Sequence, residues 1–581
     1  MFKCFVSIIA VGFSAVFAAH AGPTELPTWN FKQEMLPALV EFVPLSHKSQ
    51  NLKTGRFGSG VWIPEDQIPI YALAAAWSIN EKSNPYYHDA TLLEAIMRGG
   101  DVLAETQAKD GQWVFRKKDN STWGNHFNPW VYSRWARAFS LIREAMPPPR
   151  RARWEKGLTL GYSGIAQTAL ARVHNIPAHH AMGLYIAGKA LNRPEWCAKA
   201  SEFLVQVATA QDPNGFWSEH YGPVVAYNFV YVDALGIYYS LSHDAKVLPA
   251  LERAAQFHAN FVYPDGSCIE TIDERNPYST SGHLTGPGFS FSPQGRAYLR
   301  EHWQRTKDSK VPSHSDMLAS MLLYGQEGTV CPLPAQNRDS VFVMADGKAS
   351  VIRKGPWCAA FSAYVCPVDN SRWIQDRQNF VSLFHEKTGL ILGGGNTKLQ
   401  PLWSTFTVGN TKLLKHKSGD KNPNFAEPAG LLHVPSEATL DARGDFLKLQ
   451  YGMTDCAVRL SLSESNKVRL TYTAKSSQNT APVAAHVTFL PAIAKEWRTA
   501  SGKTGRLKKP FELTAKQAGA WFEHNGWRVQ LPEGSRITWP ALSHNPYRAD
   551  GRSEIGEGRI VLTLPFSENT TTRYVDVEIV Q

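Results

Sequence analysis

The sequence predicts a multidomain α + β chain: an N-terminal (α/α) toroid, an incomplete barrel of paired helices, followed by a C-terminal antiparallel β-sandwich. Three observations carry this. The chain has 581 residues, more than one hydrophobic core ordinarily supports. Its apolar residues recur at three- and four-residue intervals in the first half and alternate in the second. A glycine-centred turn recurs in the first half with a period near fifty residues, about the length of one helical hairpin with its loops.

The chain opens on MFKCFVSIIAVGFSAVFAAHAGP, with Lys3, an apolar stretch, and small residues at Ala19 and Ala21. This reads as an export signal cleaved after residue 21, so a periplasmic or extracellular protein is expected. The apolar stretch is short and broken by Ser and Gly, and no later segment reaches transmembrane length, so membrane insertion is not expected. Hydrophobic residues at 43% and charged residues at 19%, without low-complexity runs, exclude disordered and fibrous classes. Cys197, Cys268, Cys331, Cys358, Cys366 and Cys456 form no CxxC pair, which argues against a zinc site, a disulfide scaffold and thiol chemistry. The net charge of +10 suits a polyanionic partner. No basic helix or nucleic-acid motif accompanies it, which favours an acidic polysaccharide or oligosaccharide over nucleic acid. The oligomeric state is open.

Residues 22–330 make the helical domain. IPIYALAAAWSI, TLLEAIMRGGDVLAETQ, WVYSRWARAFSLIREAM, PAHHAMGLYIAGKAL, WCAKASEFLVQVATAQ and LPALERAAQFHANFV show helical spacing. Turns of one type follow at KDGQW, DPNGFW and PDGS, with Gly111, Gly215 and Gly266 separated by 104 and 51 residues. Glycine suits the left-handed position that closes a helix. The fourth member that this period places near Gly161 is degenerate in sequence. Residues 331–581 change texture to short alternating runs such as VRLTYTAK and RIVLTLPF, split by Gly, Asn, Asp and Pro, as antiparallel strands are.

Candidate site residues cluster in loops of the helical half. Trp123, Asn125 and His126 combine a ring that stacks on sugar faces with groups that bind hydroxyls or carboxylate. Asn175, His179 and His180 surround Pro177, which suits a helix first turn, where the positive end of the helix favours an anion. Glu219, His220 and Tyr221 precede a helix on which Tyr227 and Tyr231 share a face. Arg275 is suited to a bidentate grip on a carboxylate. In the β half, Arg377 precedes His385, which lies in a strand-like segment where a structural role is the default, and Gly393-Gly394-Gly395 carries no phosphate-binding pattern.

This order of elements and residues resembles the heparinase II/III-like polysaccharide lyases and related alginate lyases over most of the mature chain. The resemblance implies that Asn175, with His179, neutralises a uronate carboxylate. It implies that Tyr227, 52 residues after Asn175, acts at the scissile bond, and that His385 completes the site from the β domain. The chain departs from many members in lacking an Asn-His pair at Asn175 and in carrying Asn228 after Tyr227. Residues 215–220 also resemble the stretch ahead of the catalytic Tyr in chondroitin AC lyases, which implies His220 and Arg275 in place of His385.

The implied chemistry is β-elimination of a uronate, giving unsaturated uronide ends. The proton at C5 becomes acidic only once the neighbouring carboxylate is neutralised, after which one group acts as base and another as acid. The scheme requires no metal, and leaves room for a structural ion in the β domain. Two rival classes remain. An unsaturated-uronyl glycoside hydrolase on an (α/α) scaffold needs two carboxylates across the bond, and a non-catalytic glycan-binding protein needs only the aromatic cleft and the charge.

Overall fold

The computed structural model describes residues 26–275, 286–307, 315–414, 419–462, 465–477 and 481–580. The leader segment lies outside these. Among the described residues, eleven helices fill the first half: α1 (Phe31–Ser49), α2 (Pro69–Ser78), α3 (Ala90–Thr106), α4 (Pro129–Ile142), α5 (Pro148–Thr168), α6 (Asn175–Ala190), α7 (Pro194–Thr209), α8 (Val225–Ser242), α9 (Leu248–Asn260), α10 (Pro293–Thr306) and α11 (Ser315–Tyr324). Local chemistry starts several of them. Asp89 accepts from the Leu92 N–H at 2.6 Å and Asn128 from Val131 N–H at 3.1 Å, each satisfying an orphan donor of the first turn. Proline opens α4, α5, α7 and α10, where its missing N–H costs nothing.

Helices α2, α4, α6 and α8 pack in succession, and α11 packs against both α8 and α2, so these five make an inner ring. The remaining helices lie outside it and return the chain between inner members. The inner helices therefore run the same way, and their N-terminal turns gather at one end. Trp130 of α4 meets His179 of α6, and Arg134 of α4 pairs with Asp316 at the start of α11. Gly111, Gly215 and Gly266 all have positive φ, at 84°, 95° and 79°. Each N–H bonds the carbonyl three residues back, at 2.8–2.9 Å, so the three turns share one geometry. The expected fourth is absent: Gly161 lies inside α5, where an added Cβ would stand 2.0 Å from Tyr132 Oη. That glycine serves close packing rather than a turn.

Two antiparallel sheets follow. An eleven-stranded sheet runs from Phe511–Thr514 at one edge to Asp339–Val343 at the other, and a nine-stranded sheet from Glu437–Leu440 to Thr504–Arg506. Strand alternation explains why the larger sheet is buried on both faces. Ala349, Val351, Cys358, Ala360 and Phe384 join the helical core, while Ile352, Trp357, Ala359, Phe361 and Leu383 join the core between the sheets. The helical half is also closed on itself, since Thr28–Trp29 pairs with Gly328–Thr329. No helix among the described residues is long and apolar enough to cross a membrane.

Candidate active site

The N-terminal end of the inner ring carries most of the polar residues singled out in the sequence. Asn175, the first residue of α6, donates through Nδ2 to Glu219 Oε1 at 3.1 Å. Tyr231 Oη donates to the same oxygen at 3.0 Å, and His174 Nε2 lies 2.6 Å from Oε2. The Glu219 side chain is fully buried, so it ties Asn175, His174 and Tyr231 together and does not face a substrate, contrary to the expected binding role. Tyr231 is buried and stacked on Trp217 at 4.8 Å, which removes its hydroxyl from the candidates for proton transfer.

Tyr227, one turn earlier on α8, is half-buried. Its hydroxyl has no hydrogen-bond partner among the described residues. The Arg275 guanidinium lies 5.2 Å from its ring centre, within cation–π range. Burial raises the Tyr227 phenol above the ordinary tyrosine value, Arg275 offsets part of this, and Tyr547 and Glu219 add to it. Residue 274, the neighbour of Arg275 in the chain, is a fully buried glutamate. Glu274 holds His220 Nδ1 at 2.8 Å through Oε1 and accepts from the Tyr221 N–H at 3.0 Å through Oε2. His220 remains about a third exposed, at 32% of its side chain, and the Tyr221 side chain is exposed. Asp273 accepts from the N–H of Val225 at 2.9 Å and of Arg275 at 2.7 Å, anchoring the start of α8 to this loop. Burial lifts its carboxyl to about 6.

Three other expectations are corrected. His179 is buried at 1% exposure, with Nε2 2.8 Å from Ser133 Oγ. Burial, with Arg134, Arg137 and His180 nearby, holds it uncharged far below the ordinary histidine range, so it supplies no positive charge to a carboxylate. His385 does not join the site. It is buried on the strand Val381–His385, where alternation sends Phe384 toward the helices, stacked on Tyr263, and His385 to the opposite face against Trp357. Arg377 is also buried, donating from Nη1 to the Ile272 carbonyl at 2.8 Å. A Cβ on Gly222 would stand 2.9 Å from its Nη2, so Arg377 backs the loop that carries His220 rather than facing a ligand.

A second region adjoins this one. A cavity of about 860 Å³ is lined by Trp123, His126, Trp130, Ile176 and His180, among others. Trp123 sits on the hairpin of Trp113–Arg116 and Thr122–His126 and is 63% exposed. Its ring stacks on Phe115 at 4.7 Å, lies 4.3 Å from the Lys117 ammonium, and meets Trp373 edge-on at 6.0 Å. Trp373 in turn packs against Tyr547 at 6.0 Å. Asn125 is exposed on the same hairpin, while His126 Nδ1 is 3.3 Å from the Trp113 carbonyl oxygen and burial lowers its affinity for a proton. Glu274, Trp373 and Tyr547 were not singled out from sequence. A glutamate among other acidic residues carries no signal of its own, and Tyr547 lies hundreds of positions from the helical loops it approaches.

In the β half, the Lys398 ammonium donates to Asp376 Oδ1 at 2.6 Å and to the Asp369 carbonyl at 2.7 Å. His433 lies 3.1 Å from Asp376 Oδ2 and 3.3 Å from Glu427. These carboxylates outweigh burial and push His433 up to about 9. Among the described residues, no cluster of three or more His, Cys, Asp or Glu is arranged to hold a metal ion.

No family model matches the chain, and no curated protein matches its sequence. Solved structures do match. A Paenibacillus xanthan lyase superposes with a TM-score of 0.55 at 10% identity, over 95% of this chain and 58% of the xanthan lyase, so this chain spans well under two thirds of that protein. Heparinase III gives 0.53 at 10% identity over 95% of this chain and 85% of its own. A chondroitinase AC lyase described in complexes with oligosaccharides gives 0.51 at 10% identity over 95% and 83%. Across nearly its full length, the chain has the fold of these polysaccharide lyases: an α/α toroid joined to an antiparallel β-sheet domain.

Proposed function

We propose that the chain is a polysaccharide lyase that cleaves a uronate-containing acidic polysaccharide by β-elimination, exported to the periplasm or beyond, where such polymers are met. The observation that carries the reading is the meeting of Tyr227, its ring under the Arg275 guanidinium, with the loop that holds His220 on Glu274. Arg275 and the second amide hydrogen of Asn175 neutralise the uronate carboxylate, and the gathered helix N-termini add to this field. With its Nδ1 proton donated to Glu274, His220 presents Nε2 as the base that takes the C5 proton. The electron pair of that C–H bond becomes the C4–C5 double bond. The C4–O bond breaks, and its oxygen takes a proton from Tyr227, whose raised phenol is protonated at neutral pH. No step needs a metal.

The hydrolase alternative is disfavoured by the carboxylates themselves. Glu219, Glu270, Asp273 and Glu274 are all buried and each is committed to a neighbour, so none of these four is placed to flank an open cleft as one of a catalytic pair. Tyr227→Phe tests the lyase reading. Formation of the ultraviolet-absorbing unsaturated uronide should fall by roughly 10²–10⁴-fold in kcat with KM nearly unchanged. Undiminished turnover removes Tyr227 from the mechanism, and no absorbing product from any uronate polymer removes the lyase.

A further inference from the structure

The outward face of the nine-stranded sheet lies on the far side of both sheets from the helical half. One face of the eleven-stranded sheet packs on the helices and the other on the nine-stranded sheet, whose Leu447, Val458, Leu470 and Val577 point into that shared core. Alternation turns the intervening residues outward, and many charges among them are paired. Arg469 grips Asp576 at 2.6 Å, Lys467 reaches Asp576 and Glu578 at 3.1 and 3.5 Å, and Arg528 meets Glu523 at 2.8 Å.

The pairing stops at a trough of about 870 Å³ on this face, within the roughly 300–1,000 Å³ of ligand sites. Cys456 and Val458 point into the core, so Ala457 between them points outward. The register sets Lys448 on one side of Ala457 and Thr473 on the other, with Thr439 and Thr572 beyond. The short Ala457 methyl leaves the hollow among these longer side chains. One row along, Glu437, Gln450, Asp455 and Lys475 stand in register. Asp455 and Lys475 are directly opposite, where unlike charges ordinarily pair, yet they form no ion pair. Glu437 and Lys448 form none with any described residue either, and all four side chains are exposed. Lys448 leans only toward the Phe446 ring, 5.9 Å away, which lines the trough.

The trough therefore offers ammonium donors, carboxylate acceptors and threonine hydroxyls around an apolar floor and an aromatic wall. A sugar matches this mixture, since its hydroxyls both donate and accept, and a uronate adds a carboxylate for an ammonium. Lys448 and Lys475 stand two strand spacings apart, roughly 10 Å, so the trough is wider than one sugar ring. The phosphates of a nucleic acid would meet Asp455 and Glu437 as like charges. With two sheets between them, the trough cannot contribute to the proposed cleft.

We infer that this trough is a second, non-catalytic site that holds a uronate-bearing segment of the polymer being cleaved. The choice of ligand rests on the lyase reading. Gripping the chain away from the cleft raises the local concentration of cleavable bonds. The test labels the wild-type protein in a brief pulse of an amine-reactive reagent, with and without hexasaccharides of alginate, heparan and chondroitin. Salt of about 0.15 M screens long-range attraction. Mass spectrometry should show loss of labelling at Lys448 and Lys475 with one of these ligands, and none at Lys516, which is exposed outside the trough. No protection by any of the three, or equal protection of Lys516, overturns the site. Ala457→Trp fills the hollow from its floor. It should raise KM for the long polymer about tenfold, leaving kcat, cleavage of tetrasaccharides and a cooperative melt unchanged. An unchanged KM on the long polymer overturns the site. If the tryptophan unfolds the sheet, Lys448→Ala with Lys475→Ala gives the same reading from the solvent side. Protected lysines without unsaturated product from any polymer overturn the lyase reading alone.

Discussion

Glu274 shows how one buried carboxylate can govern a base it never replaces. It grips His220 Nδ1 and the Tyr221 N–H at once, which fixes both the ring plane and the tautomer. In Glu274→Gln the amide carbonyl can still take the backbone N–H, but its NH₂ then faces Nδ1 and moves the imidazole proton to Nε2. We expect kcat to fall by about 10²–10⁴-fold, with little change in KM and an unaltered circular dichroism spectrum; an equal rise in KM would mean that the loop, not the tautomer, had been disturbed. The sequence exposed Asn175, His220, Tyr227 and Arg275 because they stand in loops or first turns beside aromatic residues. It misled at His179, Glu219 and His385. Whether a polar side chain faces a cleft or a core depends on the rotation of one helix or the parity of one strand, and neither is encoded in the residue itself.

At the scale of elements, the β domain depends on loops pinned by charge. Lys398, Asp376, His433 and Glu427 bind the segment before Arg377 to those around residues 398 and 430. His433 rises from about 6.5 unfolded to about 9 folded. Its contribution is therefore complete below pH 6.5 and is lost as pH climbs through 9, on the order of 3 kcal/mol in all. Melting curves of wild type and His433→Gln from pH 6 to 10 should converge across that window; parallel curves would show that His433 is not the titrating group. Among helices, α2, α3, α4, α6, α7 and α9 were legible in their apolar spacing. Helix α1 carries Pro37 and Pro44 within it, and α10 has a mostly polar sequence with few apolar residues, so tertiary packing decided both against local preference.

For the whole molecule, acid is the sharper hazard. His180, His258 and His486 are buried and uncharged, each lowered to about 3 by burial. Each takes up a proton on unfolding below about pH 6.5, so stability is full above that value and declines as pH falls toward 3. Thermal midpoints should drop steadily over this range, with uptake of about one proton per histidine, and a flat profile would contradict these burials. The division into helical and strand-rich halves was legible because periodicity is a property of every segment. The closure of the inner ring through α11 was not, since it joins helices far apart in the chain. The same holds for the short pairing of Trp29 with Gly328, and it bears on how the protein is made. Some 300 residues separate those partners, so at about 5–20 residues per second of synthesis the first strand waits roughly 15–60 s for its mate to emerge. The helical half is thus finished last at its own beginning, and a chaperone that shelters the nascent N-terminal segment would act on the slowest contact in the domain.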